Sequence, residues 1–358
     1  MNYQTNIEKI KDDSALFAEV EKDAVASQHS ILGPGEYWSP ILRSDIKSIE
    51  SRGIVDFRSP RSRIGKSYSD SPRIVAFESA PLKRSRLLGA TLMRLPGFGL
   101  TYLDQISRTK KWFNECVELK SRILEDSPTA QSLITSRRVP NNSTLGGCQD
   151  ASEIEGVGLV SHLYLDQIQA LDQLLLRYPQ ITKSTAVCEI GGGFGAFTHI
   201  LLANLPKIKK VIYVDVFPNL YVAHQYLLAQ SIAHVQYVGL NESFDHSLDP
   251  KHPSILLMLP ETFRRLRPEW DFLYNSNSAV EMTSETLAAY SLICHEMLRS
   301  RPDSCVALRT YEQPKHHPLR RSTSELWSAF NFDSVKQREE WKCSNLFSGK
   351  SEYLLIGS

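Results

Sequence analysis

Long apolar runs are missing from this 358-residue chain. None reaches the roughly eighteen residues that a membrane-spanning helix needs, and the opening residues, Met1-Asn-Tyr-Gln-Thr-Asn6, are polar where a signal peptide would be apolar. A soluble, cytoplasmic protein with no membrane partner is expected. Excess charge is also missing: 41 Lys and Arg stand against 40 Asp and Glu, a formal net charge of +1. Phosphate contacts need a basic surplus, so nucleic acid is not expected as a partner. One local exception runs from Arg43 to Arg94, where 12 Lys and Arg face 5 Asp and Glu. It reads as solvated surface sooner than as a face for an anionic substrate. The six cysteines form no Cys-x-x-Cys pair and no Cys/His cluster at zinc spacing, the pattern of reduced thiols. Cys188 and Cys305 fall inside apparent buried strands, where cysteine acts as a small apolar residue. No internal repeat is present.

What the chain does contain is Ala186-Val-Cys-Glu-Ile-Gly-Gly-Gly-Phe-Gly-Ala-Phe-Thr-His199, which reads as strand, glycine turn and helix. Val187 and Ile190 belong to a short buried strand, and Phe197, Ile200, Leu201 and Leu202 recur at helical spacing. Gly191, Gly193 and Gly195 let the backbone take positive φ and let a ligand approach the main chain, while N–H groups of the new helix point toward it. Twenty residues past Gly195, the apolar run Lys210-Val-Ile-Tyr-Val ends in Asp215. A carboxylate at the end of a second strand is placed to accept hydrogen bonds from ribose hydroxyls, so an adenosine-type ligand is implied. Gly191, Gly193 and Ala196 also satisfy the Gly-x-Gly-x-x-Gly/Ala dinucleotide pattern. Glu189 tilts the choice: an acid two residues before the first glycine would repel a pyrophosphate but attract the sulfonium and ammonium of S-adenosylmethionine.

Before this motif, an amphipathic helix is expected from Asp12 to Ser30, stopped by Gly33-Pro-Gly35, and a second from the Ile41-Leu42…Ile46…Ile49 pattern. A Ser/Arg/Pro-rich loop from Ser59 to Arg73, a helix from Leu82 to Leu95 and a long helix from Tyr102 to Leu124 follow. A domain boundary is expected near Pro140–Gly147, giving a mainly helical N-terminal region over residues 1–150 and a second domain over 151–358. A helix from about Leu159 to Tyr178 leads into the first strand. After it, strands and helices alternate: Val187–Ile190, Val211–Asp215, His234–Val238, Trp270–Asn275 and Ser304–Arg309, with an antiparallel hairpin from Ser334–Glu339 and Tyr353–Ile356 at the end. Alternation of this kind implies a parallel sheet covered on both faces, with ligands at the C-terminal strand ends.

Asp271-Phe-Leu-Tyr-Asn-Ser-Asn-Ser-Ala-Val-Glu-Met282, taken with Glu189-Ile-Gly-Gly-Gly-Phe-Gly195 and Val214-Asp-Val-Phe-Pro-Asn-Leu220, resembles the bacterial sugar O-methyltransferase family, a branch of the class I S-adenosylmethionine-dependent methyltransferases. The likeness spans about Gly158 to Tyr290, and Val216-Phe217 stand before Pro218 where a single residue is expected. The resemblance implies a Rossmann-like class I methyltransferase fold, with a mostly parallel seven-stranded sheet and helices on both faces. It also implies that Glu189, Gly191, Gly193 and Gly195 hold the methionine portion of S-adenosyl-L-methionine, Asp215 the ribose, and that Asn275 closes the pocket. The acceptor would be a small molecule or glycan carrying a sugar hydroxyl, which must lose a proton as the methyl group transfers. Glu281 is the candidate base, or else a cap of the Ser284–Arg299 helix; His316 and His317, after the fifth strand, are the other candidates.

His162, His199 and His224 lie on expected helices and read as packing or surface residues. A divalent cation such as Mg²⁺ stays open as a second cofactor with its ligands unassigned; Asp271, Glu281 and Glu312 are the acids whose convergence would hold it. Two other readings stand: a nicotinamide-dependent oxidoreductase, disfavoured by Glu189 and by Cys294 falling four residues after Tyr290 where a Tyr-x-x-x-Lys pair would put lysine, and a non-catalytic cofactor-binding scaffold. A homo-oligomer also stays open.

Overall fold

The structure, a computed structural model, describes residues 10–35, 38–58, 143–148, 151–154, 158–243, 252–311, 322–330, 338–344 and 351–357. The expected helices at Leu82–Leu95 and Tyr102–Leu124, the Ser59–Arg73 loop, His316, His317 and Glu312 lie outside the described residues. Among those described, the chain opens with helices α1 (Ser14–Ala26) and α2 (Ser39–Arg52). A two-stranded antiparallel ribbon of β1 (Ala151–Ile154) and β2 (Gly158–Ser161) comes next. Helix α3 (His162–Arg177) then leads through a short 3₁₀ turn into β3 (Ala186–Ile190). From there the order is α4 (Ala196–Asn204), β4 (Lys210–Val214), α5 (Asn219–Gln230), β5 (His234–Val238), β6 (Ser254–Met258), α6 (Pro260–Leu266), β7 (Phe272–Ser276), α7 (Ser284–Ser300), β8 (Cys305–Tyr311), α8 (Thr323–Ala329), β9 (Arg338–Ser344) and β10 (Ser351–Gly357).

The main sheet has eight strands in the order β5-β6-β4-β3-β7-β8-β10-β9. Strands β3 through β8 pair in parallel, and β10 runs antiparallel between β8 and β9. The mostly parallel sheet expected from the alternating pattern is therefore present, with one strand more than seven. The extra strand is β6, which the sequence reading took as connection: its residues, Ser254-Ile-Leu-Leu-Met258, lie between β5 and β4 in space. All five are buried, and a run buried on both faces carries no alternation by which to recognise it. Likewise Gly158–Ser161 forms β2 where a helix was expected to begin, and α3 starts at His162.

Side chains alternate across the sheet as the strand period demands. Val187, Val211, Tyr213, Ile255, Leu257, Phe272 and Tyr274 face one core, which holds α3, α4 and α5 and reaches α1 through Val20. Cys188, Ile190, Ile212, Val214, Leu256, Met258 and Leu273 face the other, filled by Phe263 of α6 and by Leu287, Tyr290, Ile293 and Cys294 of α7. The N-terminal helices dock on this domain through specific contacts. Phe17 packs against Phe217 and Tyr221 with ring centroids 5.1 Å away in each case. The Tyr221 hydroxyl accepts from the Asp13 amide at 2.9 Å. Asp23 accepts from the Leu240 amide at 2.8 Å and from the Tyr237 hydroxyl at 2.9 Å. Among the described residues, no helix is long and apolar enough to cross a membrane.

One buried ion pair joins α3 to the sheet. Arg309 of β8 donates two parallel hydrogen bonds to Asp166, at 2.8 and 2.6 Å, with both side chains only 6% exposed. Removing one partner of such a pair strands the other charge in the interior. We expect Asp166→Ala to destabilise the fold by about 3–5 kcal/mol in denaturant unfolding; a loss below about 1 kcal/mol would place this pair in a far wetter environment than its burial indicates.

Candidate cofactor and active site

The sheet delivers its chemistry at the C-terminal ends of β3, β4 and β7, where a cavity of about 290 Å³ opens. One wall is the glycine turn after β3. Gly191, Gly193 and Gly195 have φ of 70°, 67° and 92°, all in the left-handed region that glycine enters freely. The turn is braced from three sides. The Gly191 amide donates to the Val214 carbonyl at 2.8 Å. The Gly193 amide donates to Asp215 Oδ2 at 2.9 Å, and the Tyr213 hydroxyl donates to the Gly193 carbonyl at 2.9 Å. From the β7 side, the Asn275 amide donates to the Ile190 carbonyl at 2.9 Å and to Ser278 Oγ at 2.6 Å, while its Oδ1 accepts from the Ala279 amide at 3.0 Å.

Asp215 lines the cavity directly after β4. Its other oxygen accepts from the Val216 amide at 2.7 Å and from Asn219 at 3.2 Å. Glu189 sits beneath the turn and is not on the cavity wall. Its position on β3 points it to the α4 side of the sheet, where the Thr198 hydroxyl donates to it at 2.5 Å. A Cβ on Gly192 would lie 2.6 Å from the Glu189 carboxyl carbon, so main chain covers the acid closely. Of the expected cofactor residues, the structure brings Gly191, Gly193 and Asp215 onto one cavity and sets Glu189 and Asn275 immediately behind it.

Glu281 is on the cavity wall too, at the end of a short 3₁₀ turn, Ala279–Glu281. It is not the cap of α7: Thr283 holds that position and its side chain accepts from the Thr286 amide. The convergence of Asp271 with Glu281 does not occur. Asp271 precedes β7 at the opposite end of the sheet, where it accepts from the Thr185 and Ala186 amides and pairs with Arg301 at 3.1 Å. Among the described residues, no group of three or more His, Cys, Asp and Glu is placed to hold a metal ion. His199 is buried against Tyr164, whose hydroxyl lies 2.8 Å from Nδ1. Burial holds its pKa down to about 3, so it stays neutral and packs.

Several wall residues were not foreseen. Leu32, Gly33, Pro34, Gly35 and Trp38, from between α1 and α2, line the cavity. Thr286 of α7 anchors that connection by donating to the Ile31 carbonyl at 2.7 Å. Ser30 adds a second anchor by donating to Glu261 of α6 at 2.5 Å. The Gly33-Pro-Gly35 sequence signalled a helix stop and no more. Behind the wall, Thr198 of α4 and Tyr213 of β4 give hydroxyl hydrogen bonds to Glu189 and Gly193, and the Tyr213 hydroxyl in an aliphatic strand is a legible irregularity.

Burial pushes the Glu189 carboxyl up to about 7, against the Thr198 hydrogen bond, and the neighbouring Asp215 charge adds to the rise. Burial likewise pushes Asp215 up to about 7 against the hydrogen bonds from Gly193, Val216 and Asn219. Carboxylates in an unfolded chain titrate near 4. A folded pKa above the unfolded one contributes stability that is complete below about pH 4 and is lost as the pH rises through about 7. Denaturant unfolding of wild type and Glu189→Gln between about pH 5 and about pH 8 should therefore show the variant gaining on wild type as pH increases. A difference independent of pH would mean that Glu189 does not titrate in this range.

The glycines separate backbone strain from lack of space. A Cβ on Gly191 would come within 2.1 Å of Ser278 Oγ, whereas one on Gly193 would meet nothing within 4 Å. We expect Gly193→Ala to cost about 1–2 kcal/mol, from its left-handed backbone alone. Gly191→Ala should cost measurably more in the same unfolding experiment, because Ser278 and with it the Asn275 brace must shift. Equal losses would show that the turn yields at Ser278 freely.

The strand order, the single antiparallel strand between β8 and β9, the helices on both faces and the glycine turn after β3 define the Rossmann-like fold of class I methyltransferases. No protein-family model matches the chain, and no curated protein matches its sequence. Among solved structures, it is similar to the O-methyltransferase from Bacillus cereus in complex with SAH, at 11% identity and a TM-score of 0.38 over 67% of this chain and 94% of that one. It is also similar to the magnesium protoporphyrin IX methyltransferase from Synechocystis PCC 6803 with bound SAM, at 13% identity and a TM-score of 0.35 over 68% of this chain and 91% of that one. Human N-acetylserotonin methyltransferase in complex with SAM matches at 11% identity and a TM-score of 0.32, over 67% of this chain and 70% of that one. Likenesses of this order say nothing of ligand or activity here, and the chemistry of the site rests on its own residues.

Proposed function

We propose that this protein is an S-adenosylmethionine-dependent O-methyltransferase acting on a hydroxyl of a sugar or glycosylated small molecule. The observation that carries the reading is that one cavity joins the Gly191–Gly193 turn, the Asp215 carboxylate and the Glu281 carboxylate. The residues fit such a cofactor. The open side of Gly193 leaves room for a ligand against main chain. Asp215 is an acceptor at the position where ribose hydroxyls are held in folds of this type. Glu189 lies directly under the turn, where a dinucleotide would bring pyrophosphate, and its ionised form favours a cationic ligand over NAD.

S-adenosylmethionine, when bound, supplies an electrophilic methyl group on a sulfonium. The chain supplies the rest. Glu281, on the wall of the cavity, takes the proton from the acceptor hydroxyl. Leu32–Gly35 and Trp38 add apolar surface to the wall beside the reacting groups. Support for a sugar acceptor comes from the Asp271–Met282 resemblance, and the N-terminal region shapes the acceptor side. Mg²⁺ is an optional partner, to be tested by adding it to the assay and chelating it away.

The test is calorimetric titration with S-adenosylhomocysteine and, separately, NADH, followed by acceptor screening with wild type and Glu281→Gln. We expect saturable binding of the first ligand alone, and a Glu281→Gln variant that binds it normally while transfer slows by about 10²- to 10⁴-fold. Binding of NADH alone would replace the reading with an oxidoreductase. Binding of S-adenosylhomocysteine by a protein inert toward every acceptor class would favour a scaffold, and normal turnover in the variant would remove Glu281 as the base.

A further inference from the structure

Arg58 is a charged side chain in the interior that the reaction does not use, only 2% exposed. Its guanidinium carbon lies over the Phe194 ring, 4.7 Å from the centroid. One of its nitrogens donates to the Ser143 and Leu145 carbonyls at 2.5 and 3.2 Å, and another donates to Ser161 Oγ of β2 at 2.8 Å. The Arg58 amide donates to the Gly146 carbonyl at 2.8 Å. The planar fork therefore gathers residues 143–146 and β2, and it sets a cation against one aromatic ring. The chain leaves this node at Arg58 and returns to it at Ser143.

That ring belongs to the glycine turn. From Gly191 to Gly195, Phe194 is the one residue with a side chain, so a side-chain hold on the turn must act through it. Phe194 is buried behind the cavity wall, where Phe57 and Tyr226 of α5 meet it edge-on with ring centroids 5.5 and 4.8 Å away. Phe57 is seated in turn by Gly146, where a Cβ would fall 2.5 Å from Phe57 Cε1. Tyr226 shares a hydrogen bond with the Tyr164 hydroxyl of α3, which lies 2.8 Å from His199 Nδ1. Two aromatic neighbours and a desolvated cation thus fix the ring, and displacing any of them would leave donors or the charge itself poorly matched in the interior. Gly193 and Gly195 flank Phe194 with φ of 67° and 92°, and Gly193 is on the cavity wall. A shift of Phe194 reaches that wall through one peptide bond.

On the reading that the cavity takes S-adenosylmethionine, we propose that Arg58 is a positioning residue for the cofactor site: by clamping Phe194 it sets the backbone of the Gly191–Gly195 turn, and cofactor affinity depends on it although it is not on the cavity wall. Strands β4 and β7 brace the turn from its two sides through Asp215, Tyr213 and Asn275. Arg58 braces it from behind. The N-terminal region is thereby joined to the turn itself, and not only to the cavity through the segment between α1 and α2.

The test compares wild type, Arg58→Met, Phe194→Leu and the double variant. Calorimetric titration with S-adenosylhomocysteine reads the affinity, and amide hydrogen exchange reads the turn, with the buried strand β6 (Ser254–Met258) as reference. We expect Arg58→Met to bind about 3- to 30-fold more weakly, with exchange faster in Gly191–Gly195 and unchanged in β6. Phe194→Leu should weaken binding by a similar factor, and the double variant should be little worse than either single one, because the two residues act through one contact. Where the methionine variant does not fold, Arg58→Lys, which keeps the cation without the fork, is read in the same two ways. Unchanged affinity in a folded Arg58 variant would overturn the proposal. So would exchange that rises equally in the turn and in β6, the mark of a general loss of stability, or losses that simply add in the double variant. A wild-type protein that binds no S-adenosylhomocysteine would overturn the methyltransferase reading and the link to affinity with it, while the exchange comparison would still decide whether Arg58 holds the turn.

Discussion

The arrangement depends on one constraint: between Gly191 and Gly195 the chain must turn from strand to helix with Gly191 and Gly193 on the cavity wall. The turn holds one large side chain, Phe194, buried against Phe57 and Tyr226, while its glycines offer none to pack. Its stiffness is borrowed from both neighbouring strands. Strand β4 contributes the Val214 carbonyl, the Tyr213 hydroxyl and the Asp215 carboxylate. Strand β7 contributes Asn275, with Ser278 just beyond it, both reaching the Ile190 carbonyl. Parallel registration of these strands with β3 is thus a precondition of the site as well as of the sheet: Ile190 must face Val214 on one side and Asn275 on the other.

This bracing has an electrostatic cost. Glu189 and Asp215 are both buried beside the turn, and desolvation pushes both up to about 7. Two carboxyls with pKa values near neutrality make the charge beside the turn sensitive to pH. The apolar faces compensate: Tyr213 and Tyr274 on one side of the sheet, and Tyr290 with Phe263 on the other, are buried around the same strand ends.

Much of this was legible from residue order. Gly191, Gly193 and Asp215 are short-range features, and the spacing between strand ends puts them on one cavity without knowledge of packing. The alternating pattern placed β3, β4, β5, β7 and β8 within a few residues of their positions. Where it failed, the reason is physical. Strand β6 is buried on both faces, so its Ile-Leu-Leu-Met run shows no period. The cap of α7 passed from Glu281 to Thr283 because a hydroxyl at the N-cap satisfies the first-turn amide directly. The distance between Asp271 and Glu281 follows from the strand itself: the two acids flank β7, and a strand puts its ends at opposite edges of the sheet.

The connection that lines the cavity could not be read in the same way, because nothing local to it implies a ligand. Ser30 and Ile31, just before Leu32, are held by contacts about 230 to 255 positions away in sequence, to Glu261 and Thr286. These partners lie in the first turns of α6 and α7, the two helices that leave the strand ends beside the site. The N-terminal segment is thereby tied to the same edge of the sheet that forms the cavity floor. Gly33 and Pro34 also form the partition between this cavity and a second one of about 450 Å³ under α1 and α2. Val216 and Pro260 line both spaces as well, and proline limits the conformations of the chain between them. The N-terminal helices therefore do more than decorate the sheet. Without the segment between them, the cavity that holds Gly191, Asp215 and Glu281 together would lose one of its walls.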